Sequence, residues 1–275
     1  MTDTALVTGC SSGMGMHAAV ALAAAGVQVV ATMRDTSRDA ELRASADAAG
    51  VTLSVRALDV TDHEAAREVV SSVAADHGPI SILINNAGRG MVATAEQLSL
   101  ADVRDQLEVN YLAPVHLTQL VLPAMRAARH GRILTVTSVG GVVGQPFADA
   151  YCGSKFAVEG FMQSLSTVAH AHGVWVSVVE PAAVASDFVS NAVRVSPTGP
   201  YADQLDAYVA RSEVAFAGAQ TAADAGRAIA RAALSPDYRF RWQTSAAASA
   251  FVAMSLADTD GSRVLDTTSA WTTAG

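Results

Sequence analysis

Residues 5 to 15 read Ala5-Leu6-Val7-Thr8-Gly9-Cys10-Ser11-Ser12-Gly13-Met14-Gly15, and this stretch decides the fold. Three apolar residues make a short strand. Three glycines follow in the spacing Gly-x-x-x-Gly-x-Gly, then a helical run through Ala25 and a second apolar strand, Val27 to Met33. A glycine loop between a strand and a helix lets the backbone turn tightly and approach a pyrophosphate, while the helix start offers free N–H groups and the positive end of its dipole. The same glycines alone would also describe a plain tight turn. Their place directly after the first strand gives them weight.

The alternation continues. Ser37 to Ala49 has the pattern of a polar amphipathic helix, Val51 to Ala57 alternates like a strand, and Thr61 to His77 is helical. Ile80 to Ile84 is a compact apolar strand ending in Asn85-Asn86-Ala87-Gly88. A long helical pattern covers Ser99 to Arg129, and the apolar run Ile133 to Val136 is another strand. A helix reaching about His172, a strand from Val174 to Val179, a helix from Thr221 to Leu234 and a last strand from Tyr238 to Thr244 complete the series. Such alternation predicts an α/β doubly wound parallel sheet of about seven strands with helices on both faces. No repeat or linker divides residues 1 to 275, so a single domain is expected. Residues 188 to 220 carry Val189, Val193, Tyr201, Leu205, Tyr208 and Phe216 among polar residues, in a spacing that suits a lid over a cleft or ordinary packing. The tail from Ser245 to Gly275 has few landmarks beyond a turn at Asp258-Thr259-Asp260-Gly261.

A second stretch carries chemistry. Ser138 ends the strand Ile133 to Val136, and thirteen residues on stand Tyr151 and Lys155, one helical turn apart and so on one helix face. A strand end and a helix start can converge, and there the three groups could hold a carbonyl oxygen and give it a proton. A phenol has an ordinary pKa of about 10, and a nearby cation lowers it. Bringing it to pH 7 takes about 3 units, or about 4 kcal/mol. Lys155 is the expected source of that field, with Ser138 orienting the oxygen. The spacing equally fits an ordinary helix N-terminus with Tyr151 packed and Lys155 solvated.

Residues 138 to 160, Ser-Val-Gly-Gly-x-x-Gly-x-Pro-Phe-x-Asp-x-Tyr-Cys-x-Ser-Lys-Phe-Ala-x-Glu-Gly, resemble the active site of the short-chain dehydrogenase/reductases. Within that family they are closest in pattern to the 17β-hydroxysteroid dehydrogenase type 1 and photoreceptor retinol dehydrogenase branch. The resemblance covers about residues 4 to 190. It implies a Rossmann-type fold and a catalytic set of Asn110, Ser138, Tyr151 and Lys155, with Ser138 and Tyr151 on the substrate. Asn110, in Val109-Asn110-Tyr111, would bend its helix and hold a water that relays protons to Lys155; Pro114 fits a distortion there. The cofactor would lie along Gly9, Ser11, Ser12, Gly13, Met14 and Gly15. It would pass Arg34, Asp59, Val60, Asn86, Ala87 and Gly88, and end near Tyr151, Lys155, Pro181, Val184 and Ser186.

The branch pairs an apolar residue at the Met33 position with an arginine on the adenosine phosphate, so Ser12 and Arg34 favour NADP(H) over NAD(H). Asp35 complicates this, because a one-residue shift in register would favour NAD(H). Asp59 can also be read as a strand-end residue capping the next helix. Ala182 and Ser186 stand where the family usually has glycine and threonine, which puts the local loop shape in question. The implied activity interconverts a ketone and a secondary alcohol on a bulky apolar substrate: steroid-like, retinoid-like or polycyclic. An NAD-dependent alcohol dehydrogenase and a non-catalytic NADP(H)-binding sensor or scaffold are the alternatives. The apolar stripe Val158, Phe161, Leu165 and Val168 would serve the core or a homodimer or homotetramer interface.

Composition narrows the partners. The chain has 275 residues, half of them hydrophobic, and a net charge of −8. No basic run occurs, which argues against nucleic acid and anionic membranes. Cys10 and Cys152 match neither a metal spacing nor a disulfide framework, and His170 and His172 diverge on a helix, so no metal is expected. A reduced, cytoplasmic setting fits. No signal segment is visible, and the most apolar stretch, Ala18 to Met33, is interrupted by Gly26 and Gln28 and too short to span a bilayer.

Overall fold

The computed structural model describes residues 2–186, 193–194 and 199–272. Parts of the expected lid, including Phe188 and Val189, lie outside the described residues, and only the backbone of Val193 is described.

Seven parallel strands form the central sheet: β1 (Thr4–Val7), β2 (Gln28–Met33), β3 (Ser54–Ala57), β4 (Ile82–Asn85), β5 (Gly131–Val136), β6 (Val174–Glu180) and β7 (Arg241–Gln243). Their spatial order is β7-β6-β5-β4-β1-β2-β3. β1, β4 and all but the first residue of β2 are buried throughout. Helices cover both faces, which is why these strands are continuous apolar runs without alternation. The chain leaves β1 toward β2 and β3, then returns to pair β4 on the other side of β1. The reversal opens a crevice at the strands' carboxyl ends.

Two cores flank the sheet. On one face α1 (Gly13–Ala24), α2 (Ala40–Ala48) and α8 (Ala222–Leu234) bury Met16, Leu22, Leu42 and Ile229. On the other, α3 (His63–His77), α5 (Ala113–Ala128) and α6 (Asp149–His170) bury Val73, Leu117, Met125, Val158 and Met162. The long pattern Ser99 to Arg129 is not one regular helix. α4 (Leu100–Leu107) passes through a π-helical turn, Glu108–Leu112, into α5, and the N–H of Ala113 reaches back to the carbonyl of Glu108. Pro114 supplies the cause, since it has no N–H to continue the α ladder. Ser99 and Asp102 cap the start reciprocally.

The tail is more ordered than its sequence indicates. α9 (Ala246–Leu256) and α10 (Ser262–Ser269) pack on the turn after β5: Ala248 and Val252 meet Val139, Val142 and Val143, and Ser255 Oγ donates to the Val142 carbonyl at 2.5 Å. Among the described residues of the expected lid, Ala202–Ala217 forms a helix, α7, that buries Leu205 and Tyr208. Val158 of the predicted stripe is fully buried while Val168 is 63 % exposed, so that stripe divides between core and surface.

Gly173 joins α6 to β6 at φ +74°, and a Cβ there would stand 2.3 Å from the Arg129 carbonyl oxygen. Gly50, at φ +66°, has open space around it. Urea unfolding of Gly173→Ala is expected to show a loss of about 3 kcal/mol, combining left-handed strain with the clash, against about 1 kcal/mol for Gly50→Ala. Equal losses would show that the contact with Arg129 is unimportant.

Candidate active site

The crevice is a cleft of about 960 Å³ running from the glycine loop to Ser138 and Tyr151. At its entrance Thr8 and Asn86 cross-link β1 and β4. The Thr8 hydroxyl accepts from the backbone N–H of Asn86 and of Ala87, both at 3.0 Å; Asn86 Nδ2 donates to the Thr8 carbonyl at 2.8 Å and the Gly9 carbonyl at 3.1 Å. Gly9 (φ +72°) and Gly13 (φ +66°) make the left-handed turns that L side chains avoid. Gly9, Ser11, Ser12, Gly13 and Met14 line the cleft. Gly15 does not. It lies behind them, where a Cβ would sit 2.2 Å from Asn86 Nδ2 and 2.5 Å from the Gly9 carbonyl oxygen, so its role is to let the loop close on the brace. The start of α1 has no side-chain cap, which leaves its N–H groups for an anion.

At the other side Met33, Arg34, Asp59 and Val60 reach the wall. Asp35 does not line it. Its carboxylate accepts from the backbone N–H of Ser37 at 2.9 Å and its hydroxyl at 2.7 Å, and these bonds hold it below the usual carboxylate range. Arg38, one turn beyond Arg34, also lines the cleft and was not foreseen, although its spacing from Arg34 was available to find it. Asp59 does not cap α3. It accepts from the Thr61 N–H and hydroxyl, and Asp62 takes the capping role with bonds from the N–H of Glu64 and Ala65.

The catalytic candidates converge. Ser138 ends the strand region of β5 and is hydrogen-bonded to the Tyr151 hydroxyl. Lys155 Nζ donates to the Val136 carbonyl at 3.0 Å and stands 5.9 Å from the Tyr151 ring centroid. Lys155 is 4 % exposed and is the only lysine in the chain. Asn110 occupies the π-helical turn. Its Nδ2 donates to the Arg89 carbonyl and to Ser154 Oγ, both at 3.0 Å, and its Oδ1 accepts from the Arg89 N–H at 3.0 Å. It is buried behind the wall, and a Cβ on Gly88 would be 3.1 Å from Asn110 Oδ1 and 3.5 Å from Lys155 Nζ. Ala87, Gly88, Pro181, Val184 and Ser186 all line the cleft. The Pro181 carbonyl accepts from Val139 N–H at 2.9 Å, and Ala182 packs on the tail cluster, which gives its extra methyl a place.

The electrostatics differ from the expectation in one respect. Burial raises the Tyr151 phenol above its ordinary value, and the Ser138 hydrogen bond opposes this only in part. Lys155 is itself pushed down to about 8 by burial, with the Glu159 charge opposing. Burial thus pushes the phenol upward, opposite to the lowering expected from Lys155. Sequence reading also missed Phe251 and Trp271, which meet edge to face at 5.9 Å and reach the cleft from the tail. α9, which carries Phe251, and the turn after α10, which carries Trp271, have no landmark in sequence, because α9 buries only Ala248 and Val252 and α10 only Thr268.

The open parallel sheet with a glycine loop at its first strand and a Ser-Tyr-Lys group at its fifth defines a nucleotide-dependent oxidoreductase class. Residues 3–195 match the model of the family described as short chain dehydrogenase, and the chain belongs to that family. It is 41 % identical over 189 residues to human retinol dehydrogenase 8, covering 67 % of this chain and 60 % of that protein. It is 41 % identical over 192 residues to estradiol 17-beta-dehydrogenase 1 of Rattus norvegicus, covering 66 % and 54 %. A solved short-chain dehydrogenase from Streptomyces avermitilis superposes with a TM-score of 0.83 at 28 % identity, over 98 % of this chain and 97 % of that one. This chain thus aligns with little more than half the length of the two curated relatives.

Gly15→Ala is expected to weaken dinucleotide binding at least tenfold, read by quenching or transfer of intrinsic fluorescence, because the new methyl displaces the Asn86 amide and spreads the loop. Unchanged affinity would mean that the loop has slack the distances do not reveal.

Proposed function

We propose that the protein is an NADP(H)-dependent oxidoreductase that interconverts a ketone and a secondary alcohol on a bulky apolar substrate. The observation that carries this reading is the meeting of Tyr151, Ser138 and Lys155 on one wall of the cleft. When bound, the nicotinamide supplies or takes up the hydride. Ser138 holds the carbonyl oxygen. Tyr151 gives it a proton in reduction and takes one back in oxidation. The raised phenol favours the donor form, and the buried ammonium of Lys155 stabilises the phenolate left behind. Asn110 fixes the wall behind Lys155 and supports the relay of a proton through water.

The glycine loop and the uncapped start of α1 would hold the pyrophosphate. Ser12, Arg34 and Arg38 give a 2′-phosphate three partners, and Asp35 is turned away from the wall. This favours NADP(H) over NAD(H). Phe251, Trp271 and Tyr208 surround the reactive end with aromatic surface, which suits a ring system. We take residues 1–275 as one domain whose α7 belongs to the substrate lid. Exposed Leu112, Phe156 and Val168 on the α5 and α6 side suit a homodimer or homotetramer. Among the described residues no helix is long and apolar enough to cross a membrane.

Two substitutions test this. Tyr151→Phe is expected to lower kcat for NADPH-dependent reduction of cyclic ketones by about 10²-fold to 10⁴-fold while NADPH affinity stays within about twofold; retained turnover would remove Tyr151 from the chemistry. Arg34→Ala is expected to weaken NADPH binding about tenfold, the loss of a charge-assisted hydrogen bond, and to leave NADH binding nearly unchanged. Equal affinities for the two dinucleotides in the unmodified protein would contradict the phosphate role.

A further inference from the structure

Beneath the cleft lies a second set of buried charges. Glu159 stands one helical turn beyond Lys155 on α6 and is 4 % exposed. Thr137 Oγ1 donates to Glu159 Oε1 at 2.5 Å, and Arg241 Nη1 donates to Glu159 Oε2 at 2.8 Å. The same Arg241 nitrogen pairs with Glu180 Oε1, and Gln243 Nε2 donates to Glu180 Oε2 at 2.5 Å. A Cβ on Gly141 would be 2.8 Å from Glu159 Cγ, so a bare backbone hems in the carboxylate on that side.

Each link abuts a residue of the reactive end. Thr137 lies between Val136, whose carbonyl seats Lys155, and Ser138. Glu180 precedes Pro181. The set holds two positive groups, buried Lys155 and partly exposed Arg241, and two buried negative ones, Glu159 and Glu180. It is balanced only when Lys155 is protonated and both carboxylates are ionised. An uncompensated buried charge is costly. Among the described residues no carboxylate forms a direct salt bridge with Lys155, so its compensation comes through Glu159.

We propose that Glu159, clamped by Thr137 and Arg241, is a positioning residue that keeps the Lys155 ammonium charged and seated on the Val136 carbonyl. The proposal rests on the catalytic reading of Lys155 given above. The titratable groups around Lys155 are Tyr151 and Glu159 on its own helix, with Arg241 and Glu180 behind Glu159 on β7 and β6. The π-helical turn and β5 offer Asn110, Thr137 and Ser138, which do not titrate in this range. The signs agree: burial pulls Lys155 down to about 8, and the Glu159 charge resists it. Burial likewise pushes Glu159 up to about 7. Removing the negative charge lowers the pKa of Lys155 and also that of Tyr151. Both changes move the alkaline limb of ketone reduction to lower pH.

Because residues 1–275 contain a single lysine, this chain labelled with ¹⁵N- and ¹³C-lysine gives one side-chain signal, and its titration reads Lys155 directly. Glu159→Gln is expected to lower that pKa by about one unit and to shift the alkaline limb of kcat/KM for NADPH-dependent cyclohexanone reduction by the same amount, about a tenfold loss on the descending limb. A merely structural role would lower the melting temperature and leave the lysine titration in place. An unmoved titration therefore overturns the proposal. Should Glu159→Gln fail to fold, Glu180→Gln is read the same way: removing the second negative charge lowers the Lys155 pKa, and no movement overturns the coupling. Absence of ketone reduction in the unmodified protein would refute the enzymatic reading, while the lysine titration would still decide the coupling.

Discussion

The reciprocal brace between Thr8 and Asn86 is the constraint on which the rest of the site depends. It sits where the strand order reverses, between β1 and β4, and satisfies four backbone groups with two side chains. Backbone polar groups at such a place would otherwise be left without partners by the loops diverging above them. Once the two strand ends are tied, the glycine loop has one way to leave the sheet, and Gly15 must lack a side chain because the brace occupies its space. The start of α1 then points into the crevice, and the wall from Asn86 to Gly88 lies across from it. Local hydrogen bonding thereby fixes the separation between the uncapped start of α1 and the wall that carries the candidate residues.

Burial governs the chemistry at the other end. A partly exposed phenol and a buried ammonium share a helix face, and desolvation disfavours the charged form of each. The shift favours the protonated phenol, which is the form the proposed reduction uses. The ammonium would lose its proton without compensation. The nearest compensation is not a direct ion pair, which would draw Lys155 away from the Val136 carbonyl; it is a carboxylate one turn along the same helix, tethered from behind by Arg241. Distance keeps the lysine free to serve a ligand, and the low dielectric lets the charge act across it.

The sheet, and the convergence of the candidate residues on one cleft, were legible in the sequence because both rest on short-range rules. Buried parallel strands are apolar runs, glycine loops carry their own spacing, and Tyr151 and Lys155 are related by one helical turn. What was not legible depends on contacts between distant segments. The π-helical turn at Asn110 has no periodicity of its own, although Pro114 hinted at it. Asp35 could be placed on or off the wall by a single residue of register, and only its turn bonds to Ser37 decide. The tail helices bury too few side chains to leave a stripe, yet their docking on Val139 to Val143 brings Phe251 and Trp271 to the cleft. The direction of the Tyr151 shift was misjudged because spacing reveals a neighbouring charge but not the desolvation that outweighs it.

The use of one lysine among eighteen basic residues follows from the same balance. Arginine is charged at every accessible pH, presents a planar fork, and is suited to pairing carboxylates and phosphates. This chain uses it for the first purpose at Arg241, between two carboxylates, and the proposed cofactor reading gives Arg34 and Arg38 on the cleft wall the second. In the proposed reaction the cation beside Tyr151 meets a different need. The cation must be compact, must fit between Gly88 and the Tyr151 ring, and must keep donors available after one is given to Val136. An ammonium meets these conditions and a guanidinium does not. The cost is a group that can lose its charge when buried, and a cation chosen for that position has to be accompanied by a carboxylate that arginine would not have required.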